Sequence, residues 1–172
     1  MNPHTMIERM KGAALLDIQT YEEVEADSTA TGQAAGVVAL VAVAQAIGGS
    51  SQGAPGMLTG LLIAFVGWLI WSGVTYLIGD KILGGTATWG ELLRTLGFAQ
   101  TPGLLAFLGV IPGLGGLIRF VLSIWVLVAG IIAIRQALDF STGKAVLTAV
   151  LGWLAIAIPL ALLAMGGAGM PH

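Results

Sequence analysis

The chain has 172 residues, of which 56% are hydrophobic and only 9% charged, with a formal net charge of −2. A water-soluble domain of this length cannot hide so much apolar surface, because most of its residues still touch water, so the excess calls for lipid as a second solvent. The seven Lys and Arg are scattered singly and form no basic stripe, which argues against nucleic acid as a partner, and the lack of cysteine excludes disulfides and thiolate metal sites. Residues 1–30 interleave charge with short apolar pieces and lack the uninterrupted core of a cleavable signal peptide.

Residues Thr5 to Asp17 suit a short amphipathic helix. Met6, Ile7, Met10, Ala13 and Ala14 share a face at three- and four-residue spacing, with Glu8 and Lys11 turned away. A helix this short is marginal alone in water, so the expectation is an interfacial helix lying among lipid headgroups. Thr20 and Glu23 have capping-box spacing, which predicts a second short helix over TYEEVEAD. Its four acids keep that helix in the aqueous phase beside the membrane.

The first candidate span runs from about Thr29 to Ile47. It is built of Ala, Gly and Val, with Gly32 and Gly36 spaced as GxxxG, and small residues of this kind let helix backbones approach closely inside a bundle. An uncharged turn, Gly48 to Gly56, follows. Met57 to Ile78 is the plainest span, closed by Asp80 and Lys81. Trp89 to Gly109 is long enough to cross but carries Glu91, Arg94, Gln100 and Pro102. Pro102 removes a backbone hydrogen bond and bends the helix, which a bundle tolerates when neighbours satisfy the freed carbonyl of Phe98. IPGLGG is a tight turn. Leu117 to Leu138 spans again, DFSTGK connects, and Ala145 to Met165, with Pro159 inside, makes the last span.

Hydropathy leaves four spans or five, according to whether residues 89–109 cross or re-enter. Lys and Arg near span ends are retained in the cytoplasm. Five spans put Arg9, Lys11, Lys81, Arg94, Arg135 and Lys144 on the cytoplasmic side and Arg119 alone outside, where it snorkels to the interface. A re-entrant segment would move Arg135 and Lys144 out. The expected architecture is therefore all-α, a polytopic transmembrane bundle of five spans. A cytoplasmic amphipathic and acidic segment occupies residues 1–28, the membrane domain 29–166, and a short outer tail 167–172. The expected location is the cell membrane, with the N-terminus in the cytoplasm and the C-terminus outside.

No catalytic constellation and no metal or cofactor set is present: His4 and His172 sit at the termini, and no Ser-His-Asp, Cys-His or HExxH arrangement exists. Ionisable or polar groups inside a bilayer are the remaining candidates, because burial there costs at least about 2.5–3.5 kcal/mol on insertion scales. Glu91 and Arg94 share a helix face and can pair, either as an interfacial anchor or as a functional site. Gln100, beside Pro102, is expected to turn inward and bond an adjacent helix, or to line a substrate path. Arg135 and Asp139, four apart, are expected to pair as a connector bridge.

The blocks GELLRTLGFAQTPGLL, IPGLGG and RQALDFSTGKA, over residues 5–160, resemble the bacterial branch of the Yip family. These are five-span membrane proteins named after the Ypt-interacting (Rab-interacting) proteins. The resemblance implies a helical bundle with a cytoplasmic N-terminus and an outward C-terminus. Eukaryotic members carry a Tyr-Gly-Tyr…Pro pattern where Gly97, Phe98 and Pro102 stand here. Their Asp-Leu-Tyr-Gly-Pro element is not matched by Tyr21-Glu22-Glu23-Val24-Glu25, so the Rab-binding role does not carry over. The functional expectation is a non-enzymatic scaffold or partner-binding protein of the lipid bilayer, with a membrane-protein partner or self-association. The alternatives are a small transporter or channel, and an accessory subunit of a larger complex.

Overall fold

The computed structural model describes residues 5–49 and 53–167, and every regular element among them is helical. The order is α1 (Met6–Ala14), α2 (Ile18–Ala26), α3 (Ala30–Gly49), α4 (Gly53–Tyr76) continuing as a π-helical stretch (Leu77–Ile82), α5 (Trp89–Phe98), a 3-10 segment (Thr101–Val110), α6 (Gly115–Ala137) and α7 (Thr142–Gly167). Four of these are long and apolar enough to cross a membrane: Ala30–Gly49, Gly56–Ile82, Gly115–Ala137 and Thr142–Leu162. Their outer faces carry exposed residues such as Leu58, Leu62, Phe120, Leu127, Leu160 and Leu162, an apolar belt far too continuous for water.

The central helix is α3. It is apolar all round, as a helix in the middle of a bundle should be, and Ala30, Ala34, Val37, Val38 and Val41 are buried. The GxxxG expectation needs correction. A Cβ on Gly32 would meet nothing within 4 Å, and one on Gly36 would meet only the Met6 side chain of α1. The close approach lies at the other end: a Cβ on Gly48 would come within 1.8 Å of the Ala106 carbonyl oxygen. Only glycine lets the 3-10 backbone sit there.

The stretch expected as one kinked helix is two different helices. Its α5 half starts with a capping box, in which the Thr88 hydroxyl accepts from the Glu91 N–H and the Glu91 carboxylate accepts from the Thr88 N–H. Helical bonding ends at Ala99–Gln100, ahead of Pro102, as a proline without an N–H requires, and the chain continues as a 3-10 helix. Both halves run along α3 in the same direction: Gly97 abuts Ala34, Gly103 abuts Val41, and Ala106 abuts Gly48.

Helices α1 and α2 pack against the end of the bundle where α3 and α5 begin, with the C-terminal end of α1 reaching in beside Trp125 of α6. We call this the cap end and the opposite one the open end. The cap differs from the sequence expectations in two ways. First, α2 starts at Ile18, with Asp17 rather than Thr20 as N-cap, accepting from the Thr20 N–H and hydroxyl. Second, the predicted apolar face of α1 splits. Met6 and Met10 pack against the core and Ala13 is fully buried, whereas Ile7 is 77% exposed. Trp125 of α6 donates to the Ala14 carbonyl, and the fully buried Tyr21 donates to that of Ala13. Of the outer tail expected at 167–172, residues 168–172 lie outside the described ones.

Candidate functional site

Two places gather polar chemistry, and the first is the cap end. Arg9, only 3% exposed, donates to Glu23 Oε1 through Nε and Nη2 (3.0 and 2.8 Å), to Asp27 Oδ2 (2.7 Å) and to Gln33 Oε1 (3.1 Å). One guanidinium thus joins α1, α2 and α3. The Thr29 hydroxyl and Arg9 hold the Asp27 carboxyl down at about 2. Sequence reasoning missed Arg9. The available signal was Glu23 and Asp27, two acids four apart on one helix face, which repel unless a cation sits between them.

Glu91 and Arg94 do not pair in the structure; each has its own task. Glu91 closes the capping box of α5. Arg94 is buried, and its guanidinium donates to the Val24 carbonyl (3.1 Å) and the Glu25 carbonyl, the second partly through a very short contact. It therefore caps the C-terminus of α2, where unpaired carbonyls and the negative end of the helix dipole favour a cation. Arg135 and Asp139 do not pair either. Arg135 donates to Gln136, which donates to Glu22 of α2, and Asp139 accepts from the Thr86 hydroxyl at 2.6 Å. Burial, then repulsion from Glu91 and Asp139, pushes the Glu25 carboxyl up to about 7. Arg94 and the Gln136–Glu22 bond join the cap to the bundle, Glu91 serves its own helix, and Asp139 ties the loop after α6 to Thr86.

The second place is a groove of about 1030 Å³. Its walls are α4 and α6, which face each other without close packing. The end of α3 and the α5/3-10 strip form its floor, and the first half of α7 closes it toward the cap end. Three tryptophans, Trp68, Trp71 and Trp153, line it. Trp68 is fixed by its indole N–H, which donates to the Leu93 carbonyl at 3.0 Å. The 3-10 geometry matters here: side chains three apart eclipse one another. Gln100, Gly103 and Ala106 therefore form one stripe along the groove.

Gln100 lines this groove, but among the described residues its side chain makes no hydrogen bond, contrary to expectation. The helix break explains the difference. The carbonyl freed at Phe98 is taken by the Thr101 hydroxyl at 2.6 Å, so no distant amide is needed. Gln45 also lines the groove, with no side-chain bond among the described residues. At the open end stands Arg119, exposed, with a contact to the Gly48 carbonyl at 3.3 Å among the described residues. Pro102 itself is fully buried and does not line the groove.

The fold and the groove define a multi-pass helical membrane protein whose candidate site lies inside its apolar domain. A family model described as the Yip1 domain matches residues 19–164, and the chain belongs to the Yip family. No curated protein and no solved structure matches it.

Proposed function

We propose that this Yip-family chain is a non-enzymatic membrane protein that acts by holding a membrane-embedded molecule in the groove between α4 and α6. The groove carries the reading: it is at the upper end of the ~300–1,000 Å³ range of ligand sites, and its lining is almost wholly apolar. Water-soluble cargo finds no polar path through it. A transporter remains the second reading because discontinuous helices at a binding site are its structural signature, and the α5/3-10 break lies on the groove. Its cargo would then be apolar as well.

The topology we propose has five passes through the cell membrane, with the cap end in the cytoplasm and the C-terminus outside. Two observations support it. Residues 97–109 follow α3 from Ala34 to Gly48 in parallel. Ten α-helical residues at ~1.5 Å and ten 3-10 residues at ~2.0 Å add to about 35 Å, enough for a hydrocarbon core of about 30 Å.

Native mass spectrometry of the full chain from mild detergent tests the function. Gly67 and Gly130 line the groove, and a Cβ on either would meet nothing within 4 Å. Larger side chains there fill the groove without disturbing the helices. A molecule that survives delipidation on the wild type and is lost from Gly67→Leu with Gly130→Phe is the expected result. A wild type released only as the bare chain refutes the reading.

A further inference from the structure

We propose that the occupant of the groove is an anionic phospholipid, its phosphate on Arg119 and its acyl chains lying between α4 and α6. The proposal rests on the groove being a binding site and names what binds there.

Charge is the first argument. Arg119 is the sole charged residue between Arg94 and Arg135, and neither α3, α4 before Asp80, nor α7 beyond Lys144 carries a formal charge. The nine acids lie at residues 8–27, 80, 91 and 139, and the structure gathers their elements at the cap end. None of these nine side-chain carboxylates, all among the described residues, is therefore placed to neutralise the guanidinium. Among the described residues its one hydrogen bond, to the Gly48 carbonyl at 3.3 Å, uses one of five N–H donors. A ligand that brings its own anion fits a guanidinium so placed.

Shape is the second argument. From Arg119 to Ile134, both on the groove, α6 rises about 22 Å at ~1.5 Å per residue. That exceeds half of a ~30 Å hydrocarbon core, so a chain anchored at Arg119 can lie along it fully. A partner helix fits less well. A helix about 10 Å across with an apolar face would bring no anion to Arg119, whereas a phospholipid supplies the phosphate and the apolar chains together. Free phosphate would meet the guanidinium and leave the apolar groove unused. The unpaired amides of Gln45 and Gln100, on the same lining, suit the ester and glycerol oxygens below a phosphate.

The test titrates the delipidated full-length protein in neutral detergent with phosphatidylglycerol, phosphatidylcholine or glycerol 3-phosphate, read by native mass spectrometry. One phosphatidylglycerol should bind about tenfold or more tightly than phosphatidylcholine, because both offer a phosphate to Arg119 but the choline cation compensates the charge of the second; tenfold is about 1.4 kcal/mol. Glycerol 3-phosphate should not displace it. Arg119→Gln should bring phosphatidylglycerol down to the level of phosphatidylcholine. Gly67→Leu with Gly130→Phe should lose both lipids, while Gly60→Leu, whose Cβ would meet nothing within 4 Å and which is outside the groove lining, should lose neither. Circular dichroism and elution profile check that each variant is folded. If the double variant fails that check, Gly67→Leu alone carries the groove arm. Equal affinity for the two lipids, unchanged selectivity in Arg119→Gln, or full binding to the filled groove overturns the proposal. So does a stoichiometric protein held in place of lipid. In the last case, or with equal lipid affinities, the groove remains a binding site. A groove that holds nothing sinks both readings.

Discussion

Replacing Arg94 by Met isolates the bond between the cap and the bundle. Methionine keeps the apolar stem of the buried arginine and removes the guanidinium that reaches the Val24 and Glu25 carbonyls. A hydrogen bond to a charged group contributes about 1.5–3 kcal/mol. A cation at a helix C-terminus adds about 0.3–1 kcal/mol. Water can reach part of the uncapped end and offsets some of the loss, so we expect a cost of about 2–4 kcal/mol. It should fall on α2 rather than on α4 to α7, because stability is lost in local units. Arg94→Lys keeps the charge without the fork and should recover about half. The assay pairs thermal unfolding in detergent with cleavage by a glutamate-specific protease, for which Glu22, Glu23 and Glu25 are sites within α2. Faster cleavage there, ahead of any change in the rest of the chain, is the expected result. An Arg94→Met protein within about 0.5 kcal/mol of wild type, with unchanged protection of α2, would show that the cap is held by its apolar contacts alone.

Thr101→Val should cost about 1–3 kcal/mol by leaving the Phe98 carbonyl unpaired, whereas Gln100→Leu should stay within about 0.5 kcal/mol; unfolding of both variants in the same detergent decides. Glu25 has a folded value raised from 4.5 to about 7, so ionising it opposes the docked cap. That cost is absent below about pH 4.5, grows as pH rises, and is complete above about 7. Glu25→Gln should therefore stabilise the cap above pH 7 and match wild type near pH 4, and a constant difference across that range would count against the cluster. Gly48→Ala should be severely destabilising, about 3 kcal/mol or more, because its Cβ overlaps backbone that cannot move aside. Gly32→Ala, in open space, should be neutral or stabilising by up to about 1 kcal/mol, so similar unfolding of the two would refute the close contact with Ala106. Reporter fusions at Lys81 should read the cytoplasm and fusions after His172 the outside, and a cytoplasmic C-terminus would end the five-pass topology.

The apolar spans, the clustered acids and the family blocks were legible in the chain itself, because hydropathy and charge are local properties that add along a window. A disturbance at Pro102 was legible for the same reason, but as a kink in one helix rather than as the end of α5 and the start of a 3-10 segment. What replaced the lost bond was not legible. Thr101 answers Phe98 only because the segment tightens into a 3-10 helix beside α3, and that tightening depends on how closely Gly48 admits the 3-10 backbone.

Polar partners followed the same division. Glu91 and Arg94 have spacing that permits a pair, and Arg135 with Asp139 likewise, yet Arg94 and Asp139 found partners distant in sequence while Glu91 and Arg135 took the local partners Thr88 and Gln136. A side chain's neighbours three and four residues away are fixed by the helix, but the carbonyls of α2 reach Arg94 only after α2 docks. Arg9 is the same case in reverse, a residue without a local partner that becomes the centre of three helices. The groove belongs wholly to the tertiary level. Its walls are ordinary apolar helices, and the space between them exists because α4 and α6 pack on α3, α5, the 3-10 segment and α7 instead of on each other. Composition determined that the chain lives in lipid, since transfer energies sum residue by residue. The helix-to-helix distances decided where it leaves room for a ligand, since a cavity is a difference between surfaces that no single segment contains.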